Sequence, residues 1–349
     1  MMVAGSLFVF FLGFLLLYTV FAVYAERKIA AFIQDRLGPM ETGRYGLLQT
    51  IADLLKMLQK EDITPQQADK VLFRAAPFVI FAAVFSGFCF IPLVPQAIAS
   101  TSATGIFALL AIVSLDVMGI LMAGWGSNNK FSLIGAMRSV AQIVSYEIPL
   151  GLAVLCVAIC TGTLNLQQMA WQQSIFYTPD DYGSGFFQWN VVRYPLLVPV
   201  FLIFFIASLA ECNRAPFDLP EAESELVAGY QTEYAGFRWA VLMLGEYGMM
   251  LLVSMLSAVM FFGAWSTPLP NFGPLQLARW TSGTIGHFSS WVWGSFWLLS
   301  KTLLLVGLQM WVRWTYPRLR IDQLMALCWK YLTPAGLLLV FLCSIAKLL

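Results

Sequence analysis

Residues 1–25, MMVAGSLFVFFLGFLLLYTVFAVYA, hold no charged side chain, and the first charge in the chain is Glu26. At about 1.5 Å per helical residue such a run is long enough to cross a hydrocarbon layer of roughly 30 Å. No basic segment precedes it and no small-residue cleavage site is evident, so it reads as a retained helix and not a removed leader. Working outward from a first span at 4–24, further apolar stretches of about 20 residues fall at 72–95, 105–125, 138–162, 191–210, 238–263, 290–311 and 332–349. The expectation is an all-α polytopic membrane protein with eight transmembrane helices plus amphipathic cytoplasmic loop helices. It forms one integral membrane domain over 1–349, with cytoplasmic loops at 25–71 and 211–237. Composition agrees: 59% of residues are hydrophobic and 11% charged, a balance of polytopic helical membrane proteins.

The basic residues orient the chain. Sixteen of the 20 Lys and Arg lie in or at the edges of loops one, three, five and seven, whereas loops two, four and six hold only Arg193 and Arg279. The positive-inside rule then puts the odd loops in the cytoplasm and both termini outside. Within loop one, RYGLLQTIADLLKMLQK (44–60) places Leu47, Leu48, Ile51, Leu54, Leu55 and Leu58 at helical spacing, opposite Asp53, Lys56 and Lys60. That is an amphipathic helix for the membrane surface or the underside of a partner. Loop 163–190 has no Lys or Arg and reads as an aromatic-rich extracytoplasmic connection.

Several function classes are excluded. A net charge of +1 gives no reason to expect nucleic acid. Six scattered cysteines without a CxxC, and one histidine (His287), argue against iron–sulfur, haem or zinc in this chain. Cys156 and Cys160 share a helix face but read as small core side chains. No glycine-rich loop follows a strand pattern, which argues against nucleotide binding.

The charges inside the spans are more informative. Counted from the cytoplasmic ends, Asp116, Glu147, Glu246 and Lys301 each lie roughly 12–15 Å deep, near mid-bilayer. A charged group there costs on the order of 3 kcal/mol unless it meets water or a partner. Lys301 could pair with one carboxylate and merely pin helices together. Surplus carboxylates, however, raise one another's affinity for protons and can hold or pass them near neutral pH, which favours a proton relay. Pro149, two residues after Glu147, should kink its span and make room for water.

The segment ECNRAPFDLPEAESELVAGYQTEYAGFR (211–238) concentrates Glu211, Asp218, Glu221, Glu223, Glu225 and Glu233 between two spans. Asp218-x-x-Glu221 resembles a capping box, so a short helix is expected from Glu221 to Val227, ending near Gly229. Glu221 and Glu225 would share a face. On the same side, ERKIAAFIQDRLGP (26–39) packs Glu26, Arg27, Lys28, Asp35 and Arg36 beside the first span. The two segments together suggest a charged cytoplasmic mouth.

With YGLLQTIADLLKMLQKE (45–61), GWGSNNKFSLIGAMRSVAQIVSYE (124–147) and Glu246-Tyr247, these motifs resemble the H-subunit family of bacterial respiratory NADH–quinone oxidoreductase (complex I; mitochondrial subunit 1). They run in family order through the eight-span plan and cover most of the chain. The resemblance implies a membrane component of an oxidoreductase, without a flavin, iron–sulfur or metal centre of its own, in the bacterial inner membrane. Quinone, ubiquinone or menaquinone, would be its substrate. It implies partners: peripheral-arm subunits at the cytoplasmic face, and small and antiporter-like membrane-arm subunits. By motif position Glu26, Arg27, Arg36, Glu211, Arg214, Phe217 and Asp218 would lie on or near the quinone chamber. Glu147, Glu211, Glu221, Glu223, Glu225 and Glu246 would continue it as an acidic path. Asp116 and Lys301 rest on the depth count alone. The METGR run after Gly38-Pro39 and Thr50 depart from the common family pattern.

Two alternatives are distinguishable. A quinone-independent anchor subunit of a related membrane-bound hydrogenase would be encoded beside hydrogenase subunits. A stand-alone transporter would be stable alone in mild detergent.

Overall fold

The computed structural model describes all residues except 1, 96, 97, 99, 101, 175–184, 220–222, 272–275, 284–286 and 349. Every regular element among the described residues is helical. Helix α1 (Met2–Ile33) does not stop at Glu26 but carries the first motif onward for two more turns. Part of the expected loop is therefore rod, and Phe32 at its end is 79% exposed. After a turn, α2 (Gln49–Gln59) is the expected amphipathic helix, shorter than 44–60. Thr50 is buried against the bundle, while Leu47, Leu48, Ile51, Leu54, Leu55 and Leu58 stay exposed.

Asp69 accepts hydrogen bonds from the first backbone amides of α3 (Lys70–Gly87), as an N-cap should. The third span is two pieces, α4 (Gly105–Val113) and α5 (Leu115–Gly126). They break at Ser114, whose hydroxyl donates back to the Leu110 carbonyl at 2.9 Å, a contact that bends helices. Asp116 falls in the first turn of α5. Helix α6 (Lys130–Thr161) runs 32 residues through Pro149, and α7 (Leu166–Gln172) and α8 (Asn190–Arg193) follow.

The expected fifth span is α9 (Leu197–Glu211), only 15 residues long. Among the described residues, seven other helical segments are long and apolar enough to cross a membrane. The short α10 (Glu223–Leu226) lies inside the expected 221–227 helix, whose capping box falls outside the described residues. Next come α11 (Gly236–Phe261), α12 (Leu277–Ser282) and α13 (Phe288–Thr315). The last span begins well before residue 332. It comprises α14 (Ile321–Ala326), a π-turn (Leu327–Leu332) and α15 (Thr333–Leu348).

Helix α11 is the centre of the bundle, buried at every position from 247 to 261 and packed on α1, α3, α9 and α13. Its C-terminal carbonyls have no helical donors, and burial in the bundle keeps solvent from supplying them. Side chains do so instead. Gln173 donates to Val259 O at 2.9 Å and Asn190 to Met260 O at 2.8 Å. Lys301 Nζ donates to Phe262, Ala264 and Ser266 carbonyls at 2.7, 2.9 and 2.6 Å. In α3, Pro77 cannot donate to the Phe73 carbonyl, and Tyr234 Oη fills that role at 3.0 Å.

Candidate functional site

Two connected groups of side chains form the site. The first is built on Glu26, 5% exposed, where α1 meets α11 and α13. Arg214, just beyond α9 and 6% exposed, reaches both carboxylate oxygens at 3.3 and 3.4 Å. Tyr247 Oη donates to Glu26 at 2.5 Å, and Arg313 of α13 pairs with it as well. The Arg214 guanidinium lies over the Tyr247 ring, 4.5 Å from its centre. Two guanidinium groups thus share one carboxylate in a buried setting.

Glu26 and Arg214 are expected at the chamber from their motifs, but Arg313 is an addition that sequence reasoning misses. It reads as one more cytoplasmic cation. The available signal is its position within WVRW, still inside the span and ahead of Pro317.

The remaining chamber candidates separate. Arg27, next to Glu26, turns outward to Asp53 of α2 at 2.5 Å. Arg36 is exposed and donates to Gln34 at 2.8 Å. Phe217 is buried against Tyr146, with ring centres 5.3 Å apart. Asp218 pairs with Arg318 at 2.9 Å.

The second group is the carboxylates deeper in the bundle. Glu211 ends α9 and is buried. Glu147 of α6 and Asp116 of α5 lie within its electrostatic reach. Cys212, adjacent in sequence, is influenced in turn by Arg214, Glu211, Asp116 and Glu246. Asp116, Glu147 and Glu211 each carry one buried oxygen without a hydrogen-bond partner among the described residues. Beside Glu211 lies a cavity of about 10 Å³ walled by Val113, Leu150, Phe204, Met249 and Leu252, room for about one water. Glu246 accepts from Tyr230 Oη at 2.9 Å and from Gln231 Nε2 at 2.5 Å. The acidic loop therefore folds back onto α11.

Other acids of that loop face outward. Glu225 pairs with Arg138 at 2.6 Å, and that hydrogen bond holds its carboxyl below the usual carboxylate range. Glu233 accepts from Asn129 Nδ2 at 2.6 Å. Glu221 and the side chain of Glu223 lie outside the described residues.

Lys301 is a correction. Among the described residues it neither pairs with a carboxylate nor joins their layer; its ammonium caps carbonyls in the turn that follows α11, over the Trp189 ring. Phe262 is 16 residues beyond Glu246, about 24 Å along a helix axis. Counting depth from the end of its own helix hides this, because a lysine side chain goes to the nearest acceptors in an apolar medium. Among the described residues no three His, Cys, Asp or Glu are grouped to hold a metal ion.

The profile of the NADH dehydrogenase family matches residues 6–344. The chain belongs to that family, which comprises the H subunit of bacterial complex I and its counterpart, subunit 1. It is 55% identical to the NADH-quinone oxidoreductase H subunit numbered 2 of Cytophaga hutchinsonii, over 96% of this chain and 97% of that one. It is 52% identical to the NADH-quinone oxidoreductase H subunit of Chlorobaculum parvum, over 96% of this chain and 89% of the relative. The H subunit of Bacteroides thetaiotaomicron is 42% identical, over 95% and 88%. Family membership agrees with the order of motifs along the helices, from the α1 overhang to the acidic loop.

Proposed function

We propose that this chain is the membrane subunit of an NADH–quinone oxidoreductase that walls part of the quinone chamber and couples quinone reduction to proton translocation. The observation that carries this reading is the convergence of Asp116, Glu147 and Glu211, from three separate helices, beside the buried Glu26–Arg214–Arg313–Tyr247 cluster. Relatives named as quinone oxidoreductase subunits favour it over a quinone-independent hydrogenase anchor.

Electrons arrive from peripheral-arm subunits docked on the cytoplasmic loops. A quinone head that gains electrons develops negative charge on its oxygens. Arg214 and Arg313, sharing one carboxylate, offer fixed positive charge to stabilise it. Phe217 and Tyr146 give the chamber an apolar wall. The exposed leucines of α2 lie in the headgroup region, where an isoprenoid tail enters from lipid. Proton uptake by the quinone changes the charge felt by Glu211, and through it Glu147 and Asp116. Glu221, Glu223 and Glu225 extend this acidic path on the cytoplasmic side. Glu246, hydrogen-bonded to Tyr230 and Gln231, links the acidic loop to the same set. The antiporter-like neighbours in the membrane arm receive the resulting bias. The protein resides in the bacterial inner membrane with loops one, three, five and seven cytoplasmic.

Replacing Glu147 or Glu246 with Gln in the assembled complex keeps the shape of each side chain and removes its charge. The expected outcome is a fall of about tenfold or more in coupled quinone reduction, a typical scale for a lost proton-transfer group. NADH oxidation by an artificial acceptor should stay unchanged. If both variants reduce quinone and pump protons at wild-type rates, the relay role is rejected.

A further inference from the structure

Pro149 lies in mid-helix on α6, two residues beyond Glu147. Without an N–H it cannot donate to the carbonyl four residues back, so Ser145 O loses its intrahelical bond where water cannot replace it. That oxygen nevertheless has a donor. Cys328 Sγ reaches it at 3.1 Å from the last span.

Cys328 is fully buried and belongs to the π-turn Leu327–Leu332. The turn ends two residues before Pro334, whose ring would crowd the Lys330 carbonyl in a regular α-helix. A widened i→i+5 pattern, seen in the Thr333 N–H to Cys328 O bond, relieves that clash. One residue along α6, Tyr146 Oη donates to the Leu324 carbonyl at 3.0 Å. Two proline-disturbed helices thus face each other, and side-chain hydrogen bonds run in both directions across the seam. Close approach continues along the seam at Gly336, where an added Cβ would come within 3.1 Å of Leu152.

We propose that Cys328 is a positioning residue for Glu147. Its thiol occupies the carbonyl freed by Pro149 and so holds α6 in register with the junction of α14 and α15. Leu or Val would fill the same space but leave the Ser145 carbonyl bare, which separates this role from core filling. The Phe73 carbonyl behind Pro77, met by Tyr234, shows the same device on α3. The functional consequence rests on the reading of Glu147 as a relay group; the bond itself does not.

The test has two arms, both on the whole complex in membranes. Difference infrared spectra between wild type and Cys328→Ala isolate the S–H stretch of this cysteine. It should lie below the frequency of a free thiol and move back up in Pro149→Ala, where the restored backbone N–H takes the Ser145 oxygen. In the kinetic arm Cys328→Val lowers coupled quinone reduction about two- to fivefold, the scale of one buried hydrogen bond. Cys328→Ser recovers most of the rate. In the Pro149→Ala background the same Cys328→Val change has no further effect.

An S–H band that does not respond to Pro149→Ala overturns the proposal. So does a Cys328→Val loss of equal size in both backgrounds. Should Glu147→Gln leave turnover intact, the relay reading fails while the infrared result still decides the bond.

Discussion

Glu26 is the residue on which the site balances. One buried carboxylate faces two guanidinium groups and a phenol, so its removal has a direction that physical chemistry fixes. Glu26→Gln keeps the volume but removes the carboxylate that Arg214 and Arg313 share in a poorly solvated setting. Breaking one side of a buried pair typically costs about 3–5 kcal/mol. The expected result is loss of quinone reduction together with a lower melting temperature of the detergent-solubilised complex. Glu147→Gln, which removes a carboxyl group with one buried oxygen lacking a partner among the described residues, should leave melting unchanged or raise it. Comparing the two variants by thermal unfolding separates a structural carboxylate from a working one. A Glu26→Gln complex that melts like wild type would show that the cluster does not hold the helices.

At the scale of the helix, Lys301 makes the clearest statement. It satisfies three carbonyls in the turn that follows α11, and each unmet buried polar group costs about 1–3 kcal/mol. Lys301→Met should therefore reduce assembly of the complex, measured by native gel and thermal unfolding. Any assembled fraction should keep its proton-to-electron ratio. A fully assembled variant with a changed ratio would return Lys301 to the relay. Sequence periodicity and length are sufficient for seven helices long and apolar enough to cross a membrane, for the amphipathic character of α2 and for the helices that carry Glu147 and Glu246. They are insufficient where one element ends on another. That α1 continues past Glu26, that α4 and α5 break at Ser114 and that the last span starts near Ile321 all depend on caps and packing that no local window contains. Arg313 and Lys301 escape a sequence reading for the same reason, since long side chains travel several ångströms from the backbone position that a depth count uses.

At the scale of the whole molecule, the family supplies the assembly and the bundle supplies its logic. Charged loops gather at one end, a dry α11 fills the middle and side-chain-capped turns close the other end. The orientation proposed from the basic residues has a direct test. A single cysteine introduced as Glu61→Cys should react with a membrane-impermeant maleimide only from the cytoplasmic side, and Gln276→Cys only from the opposite side. Labelling of both from one side would reverse the topology.

The overhang of α1 ties these scales together. From Glu26 to Ile33 the helix is unbroken, roughly 10 Å of stiff rod, and Phe32 and Leu37 stand out from its tip at 79 and 80% exposure. A soluble neighbour gripping this handle would also set the angle at which Glu26 meets its arginines. Stripping that neighbour away should slacken the buried cluster, even though none of its members would have been touched.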